Sequence, residues 1–593
     1  MIITRARKLA NKHDDFDPSR REFLKLALSG AVGAATAYLA QKLTPIVHAE
    51  TIQPYIRSRA VTSEKTLRRP HCLVFLEDDG KTAVAMDWKG KEEFRSTDHA
   101  KVLEEAPKIH PRVVIDAPLT LEKPVKFSGY DRLEIIGTPR AKIYYKALAI
   151  KSYIEATNWW GTGSSYIVVF CFSDVKHVLV KGLYFEMADW DDWLAAGKPS
   201  GSVILARSVN GKPVEFIEIR RCIIYKHLLN ALTFTRYATS DPLPKVIIID
   251  RCHIYQPSDI VYGNAVGAIA QDIYILRNYF EGHGVTLALG DIVNAVIEDN
   301  IIERTDDTSI QVGPPSYFEP KFIIIKRNTI RNPSVSSAGI IHVLGSSTFN
   351  VNLVIVEENK CYGDPSTSIW GPPIVIGDYV RNVVIVKNML EYAGGIRVQW
   401  PNHEKTLISY NQILNVKSTD YTIRVEGGIA FIENNIVDLT QPIHFWITYA
   451  VIRNNIGFEV GKYIYTSDAV PIGYNDTYGN PCGWTSQKNR FGLAWTPTKL
   501  YVCGCPIRFI KIDVSGINTT VGEVITVKLV ATKADGSQNT LEKSFNSDTT
   551  YYLTDEELLQ LLQGDYPVTA IEVYAKTNQG STTASVYVTV GVD

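Results

Sequence analysis

The chain has 593 residues and a formal net charge of -1, so no basic surplus points to a nucleic-acid partner. Apolar residues make up 45% of it, enough for a long core, and the length suits either several ordinary domains or one extended repetitive one. The 31 Tyr against 4 Met, with plentiful Ile, lean towards a thermophilic source.

Residues 1–49 read as an address. Ser19-Arg20-Arg21-Glu22-Phe23-Leu24-Lys25 matches the twin-arginine export motif, an apolar stretch runs from Leu26 to Ala40, and Val47-His48-Ala49 suits cleavage. A basic amphipathic start or a membrane anchor is the alternative, but the stretch falls short of the roughly 20 apolar residues of a spanning helix. The expectation is a secreted or extracytoplasmic protein, exported folded, with no membrane span after signal removal.

Residues 50–108 read as an N-terminal cap. Alternating apolar residues around Asp79-Gly80 predict a hairpin, and Ser96-Thr97-Asp98 before HAKVLEEA predicts a capped helix. A stacked repeat needs such a cover, since its open end exposes core and unpaired strand edges.

From residue 109 to 465 the sequence repeats. A β-branched run followed by Asn recurs at Asn278, Asn300, Asn328, Asn359, Asn388, Asn411, Asn434 and Asn454, at intervals of 20 to 31 residues. One such unit cannot bury its own apolar face, so units stack, and each Asn amide can bond its equivalents above and below. This pattern resembles the right-handed parallel β-helix of the pectin-lyase-like superfamily, whose coils have this length and carry internal asparagine ladders. Leu183, Cys222 and Cys252 extend the ladder column upstream, and VVIDAPLTLEKPVKF with LEIIGTPRAKI supply the first rungs. The fold class is therefore all-β, a solenoid.

In that column Cys222 and Cys252 read as packed thiols. Cys482, Cys503 and Cys505 fall in a Gly-, Pro-, Asn- and Tyr-rich segment, 466–505, that reads as a linker or cap in which one pair could form a disulfide. Residues 506–593 contain four strand runs, IRFIKIDV, GEVITVKLVATK, TAIEVYAK and ASVYVTVGV, and predict a β-sandwich. A helix interrupts it, opened by Thr554 with Glu557 as a capping box.

Equivalent positions of stacked rungs become neighbours about 4.8 Å apart. Aligning GHGVTLALG with TDDTSIQVG puts His283 beside Asp306 and Gly284 beside Asp307, with Asn264 and Ser337 in the same column. Alternation points Ile310 and Val312 inward and Ser309 and Gln311 outward. The outward column continues through Thr286, His342, Arg397 and Arg424, with Gln399, His444 and Trp446 nearby. The outcome is a polar stripe of carboxylates, imidazoles and guanidiniums.

Gly282-His283-Gly284 and Asp306-Asp307 resemble two motif rungs of the polygalacturonase family of glycoside hydrolases, in reversed order along the chain. The resemblance implies Asp306 and Asp307 as general acid and water-activating base, with His283 supporting their protonation. Gln311, His342, Arg397 and Arg424 would bind substrate. Turn chemistry alone also accounts for Asp-Asp and Gly-His-Gly at a strand start.

Asp189-Trp190-Asp191-Asp192-Trp193 lies in the longest interval between rungs. Trp190 and Trp193 either stack on sugar rings or pack on the solenoid. The leading expectation is an exported enzyme cleaving a polysaccharide by carboxylate-pair hydrolysis, without metal or other cofactor. A uronate-directed lyase, with Arg397 or Arg424 as base and calcium as a possible cofactor, is one alternative. A non-catalytic adhesin or structural β-helix is the other.

Overall fold

The computed structural model describes residues 69–331 without a break, then 340–363, 373–392 and parts of 394–592. His71–Asp593 forms one compact unit.

Three antiparallel strands, Cys72–Leu76, Ala83–Asp87 and Glu92–Ser96, open it. The first turn is held by Asp79, whose carboxylate accepts from the Lys81 and Thr82 amides. Helix α1 (His99–Ile109) follows, capped by the Asp98 side chain and burying Val102, Leu103 and Ala106. Cys72–Leu76 pairs in parallel with Arg112–Ile115, so this meander continues the second strand stack of the repeat.

The repeat is a right-handed parallel β-helix. Each rung contributes three strands to three parallel stacks. The first stack includes Asn230–Arg236, Ile310–Val312, Ile341–Val343, Ile374–Ile376, Ile396–Val398 and Ile423–Glu426. The second includes Val246–Asp250, Phe322–Lys326, Val351–Glu357 and Lys405–Ser409. The third is a sheet of twelve short strands. Inward positions are aliphatic and shielded: Ile310, Ile341, Ile374, Ile396 and Ile423 each stand at 0% exposure. Rungs are held by burial shared only with the rungs on either side.

The turn from second to third stack takes two residues. The first is left-handed in every such turn from Arg277 to Asn434, with Asp299, Arg327, Glu358, Lys387 and Tyr410 between, φ 53–58°. Non-glycine residues pay about 1–2 kcal/mol each for this conformation. The second residue is the ladder asparagine, which supplies the compensating bonds. Each Asn Nδ2 donates to the next Asn Oδ1 at 2.9–3.0 Å, and each backbone N–H to the same oxygen at 2.9–3.1 Å. The ladder runs Asn278, Asn300, Asn328, Asn359, Asn388, Asn411 and Asn435. Asn435, not Asn434, is the ladder residue, because Asn434 occupies the left-handed position before it. Asn454 lies outside the described residues. Upstream, Cys222 and Cys252 are buried free thiols in the column, and Asn278 Oδ1 accepts from the Cys252 amide at 2.8 Å.

Parallel stacking continues to Ile472–Asn475, which also pairs antiparallel with Pro481–Lys488. That strand joins Ser585–Val592, Ile507–Ser515 and Thr549–Tyr552 in one sheet of the C-terminal β-sandwich. Thr496–Tyr501, Val568–Thr577, Ile525–Lys533 and Gln538–Phe545 form the other. The sandwich thus begins inside the segment expected to be a linker. Its core includes Ile512, Val527, Leu529, Ile571 and Val588. A capping box between Thr554 and Glu557 opens its helix, Asp555–Leu562. Cys503 and Cys505 lie outside the described residues, as does the Cys482 side chain.

Candidate functional site

Parallel register defines an outward column on the first stack. It runs Leu205, Thr233, Gly267, Ala288, Gln311, His342, Val375, Arg397, Arg424 and His444. Gln311, His342, Arg397 and Arg424 therefore share one face, as expected, with Val375 between His342 and Arg397. Two expected members are not on it. Thr286 and Ser309 are fully buried, and Ala288 takes the place in the column expected for Thr286.

His283 is placed differently from the expectation. It pairs with Thr305, and the offset between these rungs changes by one residue before Leu287 meets Ile310. The alignment holds for the strand core but not for its entrance, so Asp306 meets His283 only through the backbone, Asp306 N–H to His283 O at 2.9 Å. The His283 ring points into the solenoid at 0% exposure and bonds His227, Nε2 to Nε2 at 3.0 Å. Support of an Asp306 or Asp307 proton by that imidazole has no geometric basis. Asp306 and Asp307 are exposed at the strand entrance, where Thr308 Oγ1 donates to Asp307 Oδ1 at 3.2 Å. Asn264 pairs with Val285 and Asn230 on the same rim. Ser337 lies outside the described residues, as do the side chains of His444 and Trp446.

The charged cluster gathers around His342 and Arg397. Burial holds the His342 imidazole below its ordinary range, with Asp307 opposing and Arg397 adding to the shift. A neutral ring results at neutral pH. The Arg397 guanidinium reaches the Gln399 carboxamide oxygen, with Nε at 2.9 Å once the amide is oriented to accept.

Two carboxylates that sequence reasoning missed complete this cluster. Asp378 follows the strand Ile374–Ile376 at the corner of its rung, and Glu426 ends the strand Ile423–Glu426 two rungs further on. Partial burial first, and then the charge of Glu426, raise the Asp378 carboxyl, while Arg397 opposes. Glu426 forms an ion pair with Arg424. Two rungs are roughly 9–10 Å along the solenoid axis. A signal was available: Gly377, Gln399 and Glu426 follow Val375, Arg397 and Arg424 by two residues each, so they form the next outward column.

Trp190 and Trp193 are not on the surface. They are 5% and 0% exposed, stack on each other at 5.1 Å, and the Trp193 indole donates to Pro199 O at 3.1 Å. Asp189 caps helix α2 (Ala147–Thr157), accepting from the Ala147 and Leu148 amides at 2.7 and 2.8 Å. Packing on the solenoid is the reading that holds, and sugar stacking on these rings is corrected. Among the described residues no group of three or more His, Cys, Asp or Glu side chains is arranged to hold a metal ion.

No protein-family model and no curated protein matches this sequence. Three solved structures are similar over most of the chain. The tailspike protein 4 enzymatically active domain of bacteriophage CBA120 shares 10% identity at a TM-score of 0.25, over 84% of this chain and 66% of its own. A tailspike double mutant of E. coli bacteriophage HK620 shares 8% at 0.35, over 84% and 90%. A tailspike from Acinetobacter baumannii bacteriophage Fri1, described as a capsular polysaccharide depolymerase, shares 9% at 0.22, over 80% and 84%.

Proposed function

We propose that this chain is a carbohydrate-active enzyme that cleaves a polysaccharide lying along the outward face of the first strand stack. Hydrolysis is the preferred chemistry. One observation carries it: an exposed carboxyl with a raised pKa, Asp378, stands two rungs from a second carboxylate, Glu426, with Arg397 and Gln399 on the rung between. The axial spacing of two rungs, roughly 9–10 Å, stands at or just beyond the upper end of the about 6.5–9.5 Å that leaves room for a water between inverting carboxylates. Asp378 is the proton donor to the leaving oxygen, and Glu426 activates the water. His342, Gln311, Arg397 and Arg424 line the substrate's path. The twin-arginine signal would deliver the enzyme, already folded, outside the cytoplasm.

Asp306 and Asp307 remain the rival pair, exposed at the opposite end of a strand in the same stack. Arg397 and Arg424, adjacent in the column, favour a lyase as the second reading, with an arginine removing the proton α to a uronate carboxylate. A polysaccharide screen with the wild-type chain and with Asp378→Asn, Glu426→Gln and the double Asp306→Asn, Asp307→Asn variant tests these readings. Hydrolysis at Asp378 predicts saturated products and loss of activity in the first two variants. Unsaturated, ultraviolet-absorbing products would sink hydrolysis, and a screen in which no glycan is degraded favours an adhesin or structural role.

A further inference from the structure

The column beside the outward one extends far upstream of Asp378. It runs Arg207, Thr235, Ile269, Gly290, Gly313, Leu344, Gly377, Gln399 and Glu426 by parallel register. Between Arg207 and Gly377 it carries only short or apolar residues, two of them glycine.

At its upstream end the Arg207 guanidinium is clamped between two aromatic rings, 4.5 Å from the Trp160 centroid and 4.8 Å from that of Tyr237. Its Nε is buried without a hydrogen-bond partner, and among the described residues no carboxylate pairs with it. Other arginines nearby find acceptors: Arg220 and Arg277 share Asp250, Arg304 holds Glu281, and Arg236, stacked on Tyr317, donates to Thr239 O at 2.7 Å. Arginine tolerates stacking because its faces are weakly hydrated, while its edge keeps donors in a fixed fork that matches planar or tetrahedral anions.

Neutral hydrogen-bonding groups lie one and two rungs along. The Thr233 hydroxyl, on the outward column, is 2.6 Å from Ser202 Oγ, and the Asn230 and Asn264 amides meet at 3.0 Å. Asn230 lies over Gly267 on the next rung. Tyr237 is 51% exposed, so one wall of the clamp is open to a ligand.

We infer that Arg207, held by Trp160 and Tyr237, is an anchoring site for an anionic substituent of a polysaccharide, with Thr233 and Asn230 taking the hydroxyls of adjacent sugars. The site lies six rungs, roughly 29 Å, from Asp378. It rests on the proposed reading only in taking the ligand to be a glycan. Carboxylate, sulfate and phosphate share the chemistry that the fork recognises.

The test is affinity electrophoresis of the full chain through gels containing polygalacturonate, chondroitin sulfate, a phosphodiester-linked teichoic acid, or neutral dextran, at low and high salt. Retardation is expected with at least one anionic polymer and not with dextran, and weakens with salt. Arg207→Met weakens that binding about ten-fold, Arg207→Lys recovers part of it, and Tyr237→Ala, which alters only an exposed ring, weakens it too. Leu559→Ser, at an exposed position on the C-terminal helix, leaves it unchanged. Equal retardation of wild type and Arg207→Met overturns the inference, as does equal retardation by dextran or by no polymer at all. Arg207-dependent binding without any cleavage keeps the anchoring site and removes the enzyme reading.

Discussion

His227 and His283 face one another inside the solenoid, Nε2 to Nε2 at 3.0 Å with rings stacked at 5.1 Å, both without solvent exposure. His227 Nδ1 is 2.7 Å from Leu228 O and must donate to it, so His227 Nε2 accepts and His283 Nε2 donates. A third proton would have to go to His283 Nδ1, which is buried without a hydrogen-bond partner.

Acid should therefore unfold this protein through these rings. Burial lowers the His227 pKa to about 4, and burial, His227 and Arg304 hold His283 well below its ordinary range. An unfolded histidine takes its proton near 6.5, so between about pH 6.5 and 4 the unfolded state binds more protons. Stability is full above that window and declines as pH falls through it, by about 3 kcal/mol from His227 alone. Thermal unfolding between pH 7.5 and 4.5 measures this. A double His227→Leu, His283→Leu variant should show a shallower decline, and a profile parallel to wild type counts against the account.

Asn359→Ala should cost about 3 kcal/mol. It deletes the Nδ2 donations to Asn388 Oδ1, Ile325 O and Glu357 O and removes the acceptor of the Asn328 backbone and side-chain amides, while the Asn359 backbone donation to Asn388 stays. Asn434→Ala removes no ladder bond and should cost clearly less. Chemical denaturation of the two variants checks the assignment, and equal losses would contradict it.

Trp193→Ala should destabilise by about 3–5 kcal/mol without changing glycan binding per folded molecule. The ring is buried, and its contacts are Trp190, Tyr262 and the solenoid. Folded variant that loses glycan binding would return these tryptophans to the ligand.

If Asp378 donates the proton, activity falls as pH rises through its pKa. Glu426→Asp keeps a charge nearby and Arg397→Met removes an opposing one, so the second substitution should move the basic limb of the profile upward. Asp378→Asn should lower turnover by about 10²–10⁴-fold. A basic limb that stays in place in Arg397→Met assigns the proton elsewhere.

The repeat, its length and its inward aliphatic positions are legible in the chain because each rung repeats one local solution to one burial problem. Alternation within a strand likewise puts Gln311, His342, Arg397 and Arg424 on one face. Register at strand entrances is not legible in the same way. A single extra residue between Thr305 and Ile310 leaves the aliphatic alignment intact, yet it sets Thr305 rather than Asp306 beside His283. Asn434 and Asn435 show the same limit, since only turn conformation decides which amide faces inward. The tryptophans of the inserted segment carry no period, so their burial is settled by packing on each other and on Tyr262. Asp378, Glu426 and Arg207 acquire their meaning only from neighbours one or several rungs away, through burial, charge and stacking that no local pattern encodes.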